Sequence, residues 1–122
     1  YSAYKPLPEV SVNGELTLGE NIGDLGGLNM AYAAYRLSLE GKEAPVIDGL
    51  TGDQRFFLGY GQIWKRKFRE PELRRRLLTD PHSPGHYRVI GIVSNMEPFY
   101  KAFDIKPGDK MYIAPEKRVK IW

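Results

Sequence analysis

Residues 18–28 read LGENIGDLGGL and open the first long helical pattern of the chain. A helix turns about 100° per residue, so Glu20 and Asp24 lie one above the other on one face. Gly27 and Ala31 continue the same line, which predicts a bare strip that another helix could approach closely. Leucines and tyrosines at spacings of three and four residues form an adjacent apolar stripe. Since each interior glycine costs roughly 1 kcal/mol against alanine, the glycines indicate a packing or site requirement.

Two structural interpretations of the acidic pair remain open at this level. Glu20 and Asp24 could be an exposed pair in the first turn, where the helix dipole favours carboxylates. Alternatively, Thr17 could be the N-cap, with Glu20 at the capping-box position three residues later. In either case the helix is predicted to run to about Glu40, and Gly41 fits its C-terminal stop.

Length and composition limit the classes of protein that the chain could represent. Its 122 residues suffice for one domain with a modest core, so residues 1–122 are predicted to form a single unit, with 1–17 as an extended arm. The net charge of +3 indicates no dedicated polyanion partner. Cysteine is absent, which excludes disulfides and thiol chemistry. No signal peptide and no run long enough to span a membrane is recognisable.

A second helix is predicted after the loop that contains Pro45. Thr51 and Gln54 have the spacing of a capping box at its start. The residues that follow are strongly apolar, which favours a face buried in the core. These residues are Phe56, Phe57, Tyr60, Ile63 and Trp64.

The only strongly basic run covers residues 65–78 and raises the question of nucleic-acid binding. Pro71 interrupts the run at a plausible first helical position, and Leu73, Leu77 and Leu78 predict a buried seam. A solvated outer face explains this pattern better than a nucleic-acid surface, which would need a long positive face. The sequence therefore predicts no nucleic-acid partner.

Both histidines of the chain fall in residues 80–88, DPHSPGHYR, a loop that two prolines and a glycine make rigid. The apolar, β-branched residues from Tyr87 to Val93 predict a strand. Without further information, His82 is a surface loop residue and Arg88 forms a salt bridge. Further on, a short helix through Phe103 is predicted, with Asn95 as its cap and Pro98 in its first turn. The fold class is mainly α with a minor β element.

Residues 20–28, ENIGDLGGL, resemble the E-N-x-x-D-x-G-G signature of the neprilysin family of zinc metallopeptidases. In that family the glutamate is the third zinc ligand and the aspartate orients a zinc-binding histidine. The resemblance therefore implies that Glu20 is a metal ligand and that Asp24 orients a zinc-binding histidine, roles that suit the chemistry of zinc sites.

Residues 82–88 resemble a second block of the same family, H-S-P-G-x-[FY]-R. The resemblance implies that His82 stabilises the oxyanion of the tetrahedral intermediate and that Arg88 holds a carbonyl of the substrate. His86 falls at the variable position and inherits no role. The helix 56–64 also resembles its family counterpart, which implies that Ile63 and Trp64 line the pocket for a large hydrophobic residue after the scissile bond.

The last residues, 115–122, resemble the family ending P-E-K-x-C-x-[VI]-W, and Trp122 is expected to be the natural C-terminus. Val119 occupies the place of a cysteine found in animal members, which favours a bacterial protein. Family members are often extracytoplasmic, so a periplasmic or extracellular location is expected.

Taken together, the resemblance implies the C-terminal portion of a thermolysin- or neprilysin-like catalytic domain that cleaves peptides before hydrophobic residues. The other two zinc ligands and the general base belong to an H-E-x-x-H helix, which residues 1–19 do not contain. The chain alone is therefore expected to be inactive and to bind no zinc tightly, and the N-terminal part of the same protein is its expected partner. Dimerisation of the isolated piece and a non-catalytic peptide-binding or interaction module remain alternatives.

Overall fold

The computed structural model describes residues 1–121, and helices dominate this range. Five α-helices follow one another: α1 (Leu18–Ser38), α2 (Gly52–Ile63), α3 (Glu70–Thr79), α4 (Gly85–Val93) and α5 (Glu97–Phe103), with a 3-10 helix at Pro115–Lys117. Within the described range, β pairing is limited to two isolated bridges, at residues 7 and 10 and at residues 47 and 50. The predicted mainly helical fold class is confirmed.

Helix α1 has nearly the predicted bounds, but its start differs from the predicted capping box. Thr17 makes no side-chain cap: its hydroxyl donates to the Asn13 carbonyl at 2.9 Å and accepts from the Asn21 side chain at 3.1 Å instead of from a backbone amide. The capping interpretation of Glu20 is therefore wrong, and its carboxylate is free to act elsewhere. The chain leaves the helix through Glu40 and Gly41, both at positive φ.

The predicted strand from Tyr87 to Val93 is wrong, because these residues belong to α4. The buried positions are Arg88, Gly91, Ile92 and Val93, which follow helical spacing. Pro84 precedes the helix, and its carbonyl accepts from the Tyr87 and Arg88 amides. Burial of one helical face against α1 outweighs the strand preference of β-branched residues, since that preference depends on context.

The core joins α1 to α4 and α2 to α5. Its buried members are Leu25, Leu28, Phe57, Ile92, Val93, Met96, Phe99 and Tyr100. Around Phe57 the rings of Tyr32 and Phe99 lie 5.7 and 5.4 Å away, centroid to centroid. Aromatic packing therefore fixes α2 between α1 and α5.

The arm of residues 1–17 packs onto α4. Tyr4 stacks on Tyr87 with ring centroids 4.5 Å apart, and Tyr1 meets Tyr4 edge-on. A Cβ at Gly91 would lie 2.6 Å from the Tyr1 hydroxyl, so only glycine allows this approach. The arm thus covers one side of the helix that carries Arg88.

One prediction about the apolar surfaces needs correction, and a second stays a prediction. Leu77 is buried, but Leu78 is 74% exposed and leaves the predicted seam of α3. On α1, a Cβ at Gly27 would meet nothing within 4 Å, so no other part of the described chain approaches this strip. The strip is open, and the nearby Leu18 and Met30 are also exposed.

The remaining local predictions have mixed outcomes. Pro71 and Pro98 lie in the first turns of α3 and α5, as predicted. Asn95 does not cap α5, because its side chain donates to the Gly91 carbonyl and accepts from the Val119 amide. The expectation about Trp122 lies outside the described residues. Among residues 1–121, no helix combines the length and hydrophobicity that crossing a bilayer requires.

The capping box at the start of α2 is present and gives a direct test of this fold. The Thr51 hydroxyl accepts from the Gln54 amide, and the Gln54 side chain accepts from the Thr51 amide. Thr51→Ala is expected to lower the free energy of unfolding by about 1 kcal/mol, measured by urea denaturation. Thr51→Ser keeps the hydroxyl and should retain most of that stability; equal losses in both variants would contradict the capping role.

Candidate active site

The site is built on an ion pair between α1 and α4. Arg88 donates from Nε and Nη2 to the two carboxylate oxygens of Asp24, at 2.6 and 2.7 Å. Such a bidentate pair fixes both the distance and the rotation between the two side chains. The sequence analysis assigned both residues to one site but gave each a separate partner, and it did not predict that they pair with each other.

Arg88 is only 8% exposed, and its surroundings hold it in one position. Its Cζ atom lies 3.9 Å from the centre of the Trp64 ring, and its carbonyl accepts from the Tyr60 hydroxyl at 3.0 Å. Burial acts to lower the pKa of Arg88, but hydrogen bonding to Asp24 and the negative charges of Asp24 and Glu20 together outweigh it, so the pKa is raised. Burial, with the Asp24 charge, raises the pKa of Tyr60 to about 12. Arg88 is therefore a permanently charged, rigid donor.

Glu20 and His82 meet beside this pair. The Nε2 atom of His82 lies 3.2 Å from Oε2 of Glu20, and Nη2 of Arg88 lies 3.6 Å from the same oxygen. The side chain of Glu20 remains 44% exposed. Two potential donors thus converge on one anionic oxygen that is still open to solvent.

Asp80 orients the His82 ring, a role that the sequence analysis missed. Its Oδ1 atom lies 2.7 Å from Nδ1 of His82 and also accepts from the His82 amide. Burial acts to raise the pKa of Asp80, but the hydrogen bonds from His82 and the charge of Arg76 lower it overall. The spacing Asp-x-His was a usable signal, because an aspartate often accepts from the amide two residues on.

A second set of missed residues ties the His82 loop to α1. The buried Ser83 hydroxyl donates to Asn21 at 3.0 Å, and the Asn21 amide donates to the Thr17 hydroxyl at 3.1 Å. The loop also depends on Gly85, where a Cβ would lie 2.5 Å from the Trp64 carbonyl oxygen. These contacts hold the loop that carries His82 against α1 and against the end of α2.

A cavity of about 520 Å³ opens next to His82 and Arg88. Trp64, which the resemblance assigns to the substrate pocket, lines this cavity. Ile63, the other predicted wall residue, is absent from its lining and is 63% exposed. His86 lies at the surface, away from Glu20, and its ring meets Tyr87 edge-on.

The donor set for a metal ion is incomplete in residues 1–121. No group of three or more His, Asp or Glu side chains in this range is arranged to hold a metal ion. Glu20 supplies a carboxylate, an ordinary zinc ligand, and its exposure leaves room for coordination. Catalytic zinc needs three protein ligands, so the described residues fit one of those positions and leave two to be supplied.

Comparison with known proteins agrees with this geometry. Residues 1–119 match the model of peptidase family M13. The chain is 45% identical to endothelin-converting enzyme 1 of Cavia porcellus and 37% identical to neprilysin-3 of Drosophila melanogaster. Both alignments cover the whole of this chain. It spans only 16% of either relative.

Solved structures give the same result. The crystal structure of the Mycobacterium tuberculosis zinc metalloprotease Zmp1 with an inhibitor matches all of the chain, with a TM-score of 0.97 and 52% identity. The match covers 20% of that protein. PepO of a Lactobacillus species matches 97% of the chain with a TM-score of 0.78 and 36% identity.

Fold and site thus define a helical piece of a metallopeptidase of the neprilysin type. The chain belongs to peptidase family M13, and the resemblance seen in its motifs is confirmed.

The Asp24–Arg88 pair should dominate the stability of the site. Asp24→Asn keeps the size of the side chain but leaves the buried guanidinium without its full counter-charge. We expect a loss of about 3 kcal/mol in the free energy of unfolding, measured by denaturant titration. Glu70→Gln, which breaks an exposed pair with Arg74, should cost less than about 0.5 kcal/mol. Equal losses of stability in the two variants would show that the buried Asp24–Arg88 pair contributes no more than an exposed ion pair.

Proposed function

We propose that the chain is the C-terminal part of a zinc-dependent endopeptidase that cleaves peptides on the N-terminal side of hydrophobic residues. The observation that carries this proposal is the convergence of His82 and Arg88 on one oxygen of Glu20, at 3.2 and 3.6 Å. A donor pair beside a potential metal ligand suits a reaction in which negative charge develops on a substrate oxygen.

In this proposal Glu20 is one of three protein ligands of a zinc ion. Two histidines and a general base would come from a helix in the N-terminal part of the same protein. Bound zinc would supply Lewis-acid chemistry to the peptide carbonyl. The open strip of α1 around Gly23 and Gly27, where added Cβ atoms would meet nothing within 4 Å, supports close docking of that helix.

His82 acts on the substrate oxygen. Asp80 accepts a hydrogen bond from Nδ1–H and fixes the ring so that Nε2 points toward Glu20. In the imidazolium form Nε2 also carries a proton, and it can donate a hydrogen bond to the oxyanion as it forms. Arg88 is held by Asp24 and by the Trp64 ring, so it can position a substrate carbonyl without reorganisation. Asp24 is proposed to reach a zinc-binding histidine as well, although Arg88 occupies both of its oxygens in the described chain.

The hydrophobic preference would come from the cavity beside Trp64. Each buried methylene of a substrate side chain is worth about 0.8 kcal/mol, enough to favour a large apolar residue. Ile63 could join the wall only where further chain covers its exposed side. We also propose a periplasmic or extracellular location, which rests on the resemblance of the motifs to the family.

A non-catalytic peptide-binding or interaction module is the second candidate function. It is favoured because no group of three His, Asp or Glu side chains within residues 1–121 is arranged to hold a metal ion. Calorimetric zinc titration distinguishes the peptidase from the interaction module. It is carried out on this chain alone and on the full-length protein that joins the chain to the preceding segment. Tight one-to-one binding with peptide cleavage only in the full-length protein supports the peptidase. Absence of zinc binding in both samples would favour the module.

Glu20 is the residue whose loss should remove the metal. In the full-length protein, Glu20→Val is expected to abolish zinc retention after dialysis, as measured by mass spectrometry of metal content. Glu15→Val, which removes an exposed carboxylate just before α1, should leave the zinc content unchanged. Full zinc content in the Glu20 variant would refute the ligand assignment.

His82 should matter in the transition state more than in substrate binding. His82→Ala is expected to lower kcat about 100-fold with a smaller change in KM, because it removes a donor to the developing oxyanion. His86→Ala, at the exposed histidine of the same segment, is the control and should retain activity. A rise in KM with unchanged kcat would assign His82 to ground-state binding instead.

A further inference from the structure

The cavity beside the candidate active site combines apolar walls with three guanidinium groups. Its apolar lining includes Trp64, Phe68 and Leu77, and Arg66, Arg76 and Arg88 contribute the charges. A volume of about 520 Å³ is in the range of ligand pockets and can take a large side chain.

Two of the three charges are already neutralised. Arg76 is paired with Glu72 at 2.8 Å and with Asp80 at 2.6 Å. Arg88 is paired with Asp24, as described above. The charge of each of these guanidinium groups is therefore already balanced by a carboxylate that the fold provides.

Arg66 differs from both. It forms no ion pair with any carboxylate of residues 1–121. Its Cζ atom lies 5.5 Å from the centre of the Trp64 ring. The side chain is exposed at the edge of the cavity. Within residues 1–121, Arg66 is therefore a cation without a carboxylate partner, and it lies next to the Trp64 ring, which a substrate side chain in the cavity would contact.

We propose that this cavity selects substrate residues that carry a carboxylate, and that Arg66 is the specificity-determining residue. This inference rests on the proposed peptidase function and refines its preference for hydrophobic residues. The apolar body of the substrate residue packs on Trp64 and Phe68, and its carboxylate pairs with the planar fork of Arg66. The carboxylate could belong to an acidic side chain or to the C-terminus of the substrate.

Matched peptides measure this selectivity in the zinc-loaded full-length protein. One series places phenylalanine, para-carboxyphenylalanine or its neutral carbamoyl analogue after the scissile bond, and a second series compares free with amidated C-termini. Arg66→Gln is expected to lower kcat/KM about tenfold for the carboxylate peptides and to leave the neutral peptides nearly unchanged. Lys67→Gln is the matched control, because it removes the same charge from an exposed neighbour outside the cavity lining.

The two series identify the source of the carboxylate. An Arg66 effect that follows the para-carboxylate assigns the cavity to an acidic side chain, and one that follows the free terminus assigns it to the last substrate residue. Either result supports the inference. Equal effects on charged and neutral peptides, or equal effects of Arg66→Gln and Lys67→Gln, would overturn it.

A binding measurement separates this inference from the proposed function. Calorimetry on the metal-free full-length protein compares the carboxylate peptide with its carbamoyl analogue, without any need for turnover. If the wild-type protein cleaves no peptide but binds the carboxylate form more tightly through Arg66, the peptidase proposal fails and the cavity assignment stands. If cleavage occurs without an Arg66-dependent preference, the cavity assignment alone fails.

Discussion

The bidentate pair between Asp24 and Arg88 is the interaction on which the rest of the site depends. It links α1 to α4, and through the Trp64 ring and the Tyr60 hydroxyl it also fixes the end of α2. A buried guanidinium is costly to desolvate, so its position is tolerated only where partners surround it. Here a carboxylate and an aromatic face meet that requirement, and the same contacts make Arg88 rigid.

The polar contacts around this pair place the remaining groups. The Ser83–Asn21 hydrogen bond anchors the loop that carries His82, and Asp80 sets the orientation of the ring. As a result, His82 reaches Glu20 from a segment more than sixty residues away in sequence. The supporting residues contact no substrate in the proposed reaction, but they determine where the proposed catalytic groups point. Such support is what a preorganised site requires.

The chain presents one side of a site and leaves the other side open. Glu20 offers a single metal donor, the glycine strip of α1 is uncovered, and the cavity beside Trp64 opens at Arg66. The chain spans 16% of the length of the curated relatives it matches. Apolar residues exposed on α1, such as Leu18 and Met30, agree with a surface that another segment covers.

The sequence by itself determined the family, the extent of α1, the capped start of α2 and the grouping of Glu20, Asp24, His82 and Arg88. These features depend on local spacing and on motifs, which the order of residues records directly. Only the tertiary structure decided that residues 87–93 form a helix, that Leu78 and Ile63 face outward, and that both Asp24 oxygens bind Arg88. Burial against α1 and pairing with a residue far away in sequence are non-local interactions. The residues next to each position in the sequence therefore do not specify them.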